Sequence, residues 1–101
     1  MTTRSLLIAA RERIADPANH CRGALARNAR GEAVLAHSDS ATSWCAYGAT
    51  LAIAGFDETG RARVALITAA REHFNLAPET VNDTLGHQAV MDLYAVAIEA
   101  S

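Results

Sequence analysis

The chain has 101 residues, the size of one domain, and 50% of them are hydrophobic while 20% are charged, as in folded globular proteins. The net charge of −2 is too small to indicate a nucleic-acid partner, and no apolar run approaches the ~18 residues of a membrane-spanning helix. The N-terminal apolar stretch is short and ends at Arg11, unlike a signal peptide. We therefore expect a cytoplasmic protein with two reduced cysteines, Cys21 and Cys45.

About a quarter of the residues are alanine, which has the highest helix propensity and a small side chain. This composition predicts closely packed helices. All nine basic residues are arginine, and six of them lie in the first thirty residues. No aromatic residue separates these arginines, so a surface on which single-stranded nucleic acid could stack is not indicated.

The N-terminal third is predicted to contain a helix, a turn and a region without helical period. Thr2 or Thr3 can cap a first helix that runs to about Asp16, where Pro17 interrupts it. A short second turn then carries His20 and Cys21. At about residues 24–35, a small β-hairpin and an irregular loop fit the sequence equally well.

The middle of the chain predicts a buried central helix from about Ala41 to Ala54, in which Trp44 and Cys45 open an almost wholly apolar segment. A helix that is apolar on all sides is a buried one. Gly48 lies within it, where glycine costs ~1 kcal/mol, so we expect another backbone to cross closely there. Gly55 either shares that crossing or ends the helix.

The last third predicts two further helices, Arg61 to His73 and Leu85 to Ala100, with one helical turn at Pro78 between them. The sequence thus predicts a mainly α fold: a compact orthogonal bundle of four principal helices plus a short helical turn, in a single helical domain over residues 1–101. The final helix has a broad apolar face, and we expect part of it to be exposed for a partner or a second copy. That part is Met91, Tyr94 and Ile98.

Three side chains form a candidate catalytic set. Asp83 and His87 are four residues apart and can share a helix face, and Cys45 lies near a helix start, where amide N–H groups lower a thiol pKa. A thiol, an imidazole and a carboxylate are the parts of a thiol nucleophile. The alternative is that Cys45 packs in the core, Asp83 caps a helix and His87 bonds to backbone.

A zinc site is the other chemistry that these residues permit, with Cys21, Cys45 and His87 joined by His20 or Asp83. The chain contains no Cys-x-x-Cys and no His-x-x-x-His pair, spacings that are usual in structural zinc sites. Signatures of nucleotide binding and of serine hydrolases are also missing. We therefore expect no cofactor.

Three segments resemble a family known as a "domain of unknown function", found in GC-rich bacteria and their phages. They are Cys21-Arg22-Gly23-Ala24, then Trp44 to Ala49, then Asn82-Asp83 with His87. Members often carry tryptophan where this chain has His20 and threonine where it has Gly86. The resemblance implies no activity, but it implies that Cys21, Trp44, Cys45, Asn82, Asp83 and His87 lie in one neighbourhood.

The sequence favours a small non-catalytic binding or regulatory module whose partner is a protein or a second copy of the chain. A phage or plasmid protein acting on a host protein would belong to this class. Candidate binding residues are Cys21, Trp44, Asn82 and Tyr94. The alternative is a Cys/His protein, either a thiol-dependent enzyme or a zinc-binding domain, that uses Cys45, His87, Asp83 and Cys21.

Overall fold

The computed structural model describes the backbone of residues 1–101 and every side chain except those of residues 56 and 57. The helices are α1 (Thr3–Arg13), α2 (Ala46–Ile53), α3 (Phe56–Phe74), α4 (Pro78–Thr80) and α5 (His87–Ala100). The strands are β1 (Ala26–Asn28), β2 (Ala33–Val34) and β3 (Ala41–Trp44). A 3-10 turn, Pro17–Asn19, follows α1, and a π-helical turn, Val81–Leu85, follows α4.

The predicted four-helix bundle is wrong, because the chain is a mixed α and β fold. The three strands form an antiparallel sheet in the order β2-β1-β3. β1 and β2 lie within the predicted hairpin region, with Ala26 opposite Val34. The third strand occupies residues 41–44, where we expected the start of the central helix. β1 and β3 are only three and four residues long, and their burial does not alternate along the strand, so neither shows the period of two that identifies a strand in a sequence.

Other helix boundaries follow local signals in the sequence. The Thr2 side chain accepts a hydrogen bond from Ser5 N at 3.0 Å and caps α1. Asp16 caps the 3-10 turn through a 2.9 Å bond from Ala18 N, with Pro17 in its first position. α3 starts earlier than predicted and ends at Asn75, which has the left-handed φ of 55° that suits a helix end.

The core lies between α1, α3 and α5, and α2 packs against it. Leu6 and Leu7 of α1, Leu66 of α3 and Leu93 of α5 are fully buried. Buried alanines between them let the helices pack at close range, as the composition predicts; these are Ala10, Ala62, Ala69, Ala70 and Ala97. No helix in the described part of the chain is long and apolar enough to cross a membrane.

The apolar face of α5 turns inward. Tyr94 is fully buried and Met91 is 5% exposed, so the predicted exposure of these two side chains is wrong, and only Ile98 keeps partial exposure. α1 and α3 cover the face that we assigned to a partner. Self-association remains a prediction that this face no longer supports.

Gly48 confirms the predicted close crossing of two backbones. A Cβ atom on Gly48 would lie 1.8 Å from the carbonyl oxygen of Leu25. The Leu25 carbonyl also accepts a 3.1 Å hydrogen bond from Cys45 N, just before α2 begins. The segment that leads into β1 therefore packs directly against the start of α2 and is hydrogen-bonded to it. A Cβ atom on Gly55 would meet no atom within 4 Å, so Gly55 does not share the crossing; it lies between α2 and α3.

Candidate functional site

Asn82 joins three separate segments of the chain at the start of α2. It is 1% exposed and lies in the π-helical turn. Its Oδ1 accepts hydrogen bonds from Ala46 N at 2.9 Å and from His20 Nε2 at 2.6 Å. A backbone N–H can only donate, so Ala46 fixes which end of the amide faces α2. His20 must then carry its proton on Nε2.

The amide nitrogen of Asn82 is also fully used. Nδ2 donates to the carbonyl oxygen of Cys21 at 3.1 Å and to Asp83 Oδ1 at 2.9 Å. Asp83 Oδ1 also accepts a 3.2 Å bond from Gly23 N. We call Asn82, Asp83 and His20, with the backbone groups that they bind, the Asn82 cluster. A buried amide with four partners holds its surroundings rigidly, because each lost bond would leave a buried polar group unpaired.

The sequence offered Asp83 as a cap for the last helix, but Asp83 does not cap it. The π-helical turn ends at Gly86, whose φ of 93° and ψ of −172° place it outside the helical region, and α5 begins only at His87. This break separates Asp83 from His87, so the two do not share the face of a regular helix. Glycine tolerates such a conformation because it has no Cβ.

His87 bonds to backbone. Its Nε2 donates to the carbonyl oxygen of Ile14 at 2.8 Å, so it ties α5 to the end of α1. The imidazole of His20 lies beside it, with 5.5 Å between ring centroids. The pKa of His20 is lowered from its ordinary value, chiefly by burial and further by His87 and Arg22. The hydrogen bond to Asn82 and the charge of Asp83 oppose that shift.

Cys45 lies at the predicted helix start but is not activated. It is the N-cap of α2, and its Sγ accepts a 3.2 Å hydrogen bond from Gly48 N. Burial raises the pKa of the Cys45 thiol and outweighs the lowering by the neighbouring amides. A raised pKa depletes the thiolate, which is the nucleophilic form.

Cys21 is buried, and its thiol lies 3.6 Å from the carbonyl oxygen of Ala24. Burial raises its pKa as well. Both cysteines are free thiols. Among the described side chains, Cys45 makes no hydrogen bond to His87 or Asp83, and no three His, Cys, Asp or Glu side chains are placed to hold a metal ion. The arrangement supports neither the thiol nucleophile nor the zinc centre.

Tyr94 and Trp44 also donate side-chain hydrogen bonds to backbone carbonyl oxygens. The hydroxyl of Tyr94 donates to the carbonyl oxygen of Ala46, and burial raises its pKa. Ala46 is thus held from both sides, by Asn82 at its N–H and by Tyr94 at its carbonyl. Trp44 Nε1 donates to Ala36 O at 2.8 Å, and the Arg13 guanidinium lies 4.9 Å from the Trp44 ring centroid.

A groove of about 240 Å³ opens beside the Asn82 cluster. Three segments line it: the loop before β1, the start of α2 and the α4 region. The lining residues are Gly23, Ala24, Leu25, Cys45, Ala46, Tyr47, Pro78, Glu79, Asn82 and Asp83. Its walls are mostly apolar, and its carboxylates come from Glu79 and Asp83. Sequence reasoning identified Cys45, Asn82 and Asp83 but missed Tyr47 and Glu79, which no motif marks.

Arg63 of α3 supports one side of the groove. Its guanidinium stacks on Tyr47, 4.3 Å from the ring centroid, and its Nη2 lies 2.6 Å from Glu79 Oε1. Stacking and ion pairing together orient both groove residues. Cys21, Trp44, Cys45, Asn82 and Asp83 therefore belong to one region. His87 bonds to Ile14 O, and its ring lies beside that of His20 at the edge of this region.

One protein-family model, described as a family of unknown function (DUF6197), matches residues 1–100. No curated protein and no solved structure matches the chain. The resemblance to a family of unknown function is therefore confirmed over almost the whole length.

Proposed function

Because the chain belongs to this family of unknown function, whose description assigns no activity, we propose from the site alone that it is a small non-catalytic binding module. In this proposal the groove beside the Asn82 cluster holds a segment of a partner protein. The observation that carries the proposal is the apolar groove itself, which lies beside the hydrogen-bonded Asn82 cluster.

The chemistry of the groove favours binding over catalysis. A catalytic thiol needs a lowered pKa or an adjacent base, whereas both cysteines have raised pKa values and His87 is bound to Ile14 O. Asn82 has no spare donor for a substrate, since both of its Nδ2 bonds are made within the chain. These groups support a surface; they do not form a reaction centre.

The apolar surface extends beyond the groove. Leu25 is 39% exposed and Leu35 is 65% exposed. Leu25 also lines a second depression of about 150 Å³, together with Leu35 and Leu51. Contiguous apolar surface of this kind marks protein interaction sites more often than isolated exposed residues do. The two depressions, which share Leu25, form the binding face of this proposal.

The proposal is tested by selecting binders from a random peptide library and mapping them by amide chemical shifts in NMR. We expect selected peptides to shift the amides of Gly23, Leu25 and Cys45. Leu25→Ser should weaken their binding about tenfold or more, because it removes apolar area from both depressions.

Val64→Ser is the matched control, since Val64 is 62% exposed on α3 and lies outside both depressions. It should leave peptide affinity unchanged. Peptides that map to another face, or that bind the Leu25→Ser protein as tightly as the original, would contradict the proposal. Thermal unfolding of each variant checks that the fold is retained.

A further inference from the structure

We propose that the groove takes a cationic side chain, an arginine or lysine of the partner, with its stem on the apolar walls and its charge at Asp83. This inference rests on the function proposed above and specifies the chemistry of the ligand. Three features carry it: the state of the Asp83 carboxylate, the groups already paired around it and the size of the groove.

The Asp83 carboxylate has no ion-pair partner among the described side chains, whose salt bridges join Arg30 to Glu32 and Arg63 to Glu79. Its Oδ1 accepts from two neutral amides, Gly23 N and Asn82 Nδ2. These donors fix the carboxylate in position without neutralising its charge. The nearby Arg22 donates to the backbone oxygen of Asp83, at 3.4 Å, instead of its carboxylate.

Glu79 adds a second carboxylate to the groove. Its Oε1 is paired with Arg63, and its side chain is 51% exposed. Two of the first amides of α2 do not offset these charges as free donors, because Ala46 N donates to Asn82 and Gly48 N donates to Cys45. An incoming cation therefore meets two carboxylates in this groove.

The size of the groove fits a side chain better than a metabolite. Its volume of about 240 Å³ is below the ~300–1,000 Å³ of small-molecule pockets. Arginine and lysine bury an apolar stem while keeping the charged end at a polar rim. Apolar walls from Leu25 and Pro78 with a carboxylate at Asp83 provide both parts of that requirement.

Two blocked pentapeptides test the inference, Ac-Ala-Leu-Xaa-Leu-Ala-amide with either arginine or its neutral isostere citrulline at Xaa. Titrations are followed by NMR at the amides of Gly23, Cys45 and Asp83. We expect the arginine peptide to bind about tenfold more tightly than the citrulline peptide, as a charge-assisted hydrogen bond requires. Added salt should reduce this preference.

Asp83→Asn keeps an oxygen that can accept from Gly23 N but removes the charge. We expect it to abolish the preference for arginine, whereas Asp92→Asn, an exposed control on α5, should retain the preference. Equal binding of the two peptides to the original protein at the groove would overturn the cation inference but leave the binding module standing. If neither peptide shifts the groove amides, the cation inference fails, and the library selection described above decides separately whether the binding module stands.

Discussion

The helical layer and the Asn82 cluster are held together by different interactions. In the layer of α1, α3 and α5, leucines and alanines form most of the helix contacts, and the buried hydroxyls of Thr59 and Tyr94 donate outward to carbonyl oxygens of α2. In the cluster, one amide makes four hydrogen bonds that join the His20 segment, α2 and the π-helical turn. Apolar packing tolerates small adjustments, whereas a hydrogen-bonded cluster depends on the exact position of each partner. The groove is built on the less tolerant of the two regions.

The largest effect is expected from Asn82→Ala. It leaves Ala46 N and the Cys21 carbonyl without their partner in a buried place, and each such loss costs about 1–3 kcal/mol. We expect the free energy of unfolding, measured in urea at pH 7.5, to fall by about 3 kcal/mol or more. That would equal a truncation in the helical layer such as Leu66→Ala, at about 2–5 kcal/mol.

Gln88→Ala is the control for this measurement. Gln88 is an exposed residue whose side-chain amide donates to Asp92, so its removal should cost less than about 0.5 kcal/mol. A cost below about 1 kcal/mol for Asn82→Ala would show that the cluster does not hold the fold, and the contrast between the two regions would be lost.

Two glycine-to-alanine substitutions should change the free energy of unfolding by smaller amounts, and in opposite directions. Gly48→Ala places a Cβ 1.8 Å from Leu25 O, so a backbone must move, and we expect a loss of about 2 kcal/mol. Gly60 is an exposed residue of α3, and a Cβ atom on it would meet no atom within 4 Å. Gly60→Ala should therefore stabilise the protein by about 0.5–1 kcal/mol. Both are read from thermal or urea unfolding. Equal effects at the two positions would disprove the close crossing.

The smallest effect is a pH dependence that arises in the cluster. The pKa of His20 in the folded protein lies below its ordinary value of 6.5, so the unfolded chain binds more protons just below that pH. Stability contributed by neutral His20 is therefore complete above pH 6.5 and is lost as the pH falls through the window below it. Arg22 and His87 oppose the new charge, and Asp83 favours it.

His20→Gln tests this origin, because glutamine can still donate to Asn82 Oδ1 but does not titrate. Urea midpoints at pH 7.5 and pH 5.5 should differ less in the variant than in the original protein. If the variant keeps the full difference, the pH dependence arises elsewhere in the chain.

Local signals in the sequence predicted part of the fold. The cap at Thr2, the turn at Pro17 and the close crossing at Gly48 all follow from the chemistry of single residues and their neighbours. β3 could not be predicted in this way. Thr42 and Trp44 suit a strand, but the preceding serines and threonines also suit a helix cap, and only the distant β1 decides between them.

The candidate site was predicted as a set of residues but not as an arrangement. The resemblance implied that six residues lie in one neighbourhood: Cys21, Trp44, Cys45, Asn82, Asp83 and His87. The structure brings Cys21, Cys45, Asn82 and Asp83 together around the groove and the Asn82 cluster, whereas His87 bonds to Ile14 O. Which of them bond to each other depends on the π-helical turn. That turn separates Asp83 from His87 and directs Asn82 inward.

By itself, the sequence determined that the chain is rich in helix, that alanines let its helices pack at close range and that a glycine lies where two backbones cross. These properties follow from side-chain volume, helix propensity and the absence of a Cβ, which belong to individual residues. The tertiary structure alone decided that Tyr94 is internal and that the thiols have raised pKa values. It also decided that the Asp83 carboxylate lies beside an apolar groove and accepts hydrogen bonds from two neutral amides. Hydrogen-bond partners come from segments up to 80 residues apart along the chain, so no local pattern records them.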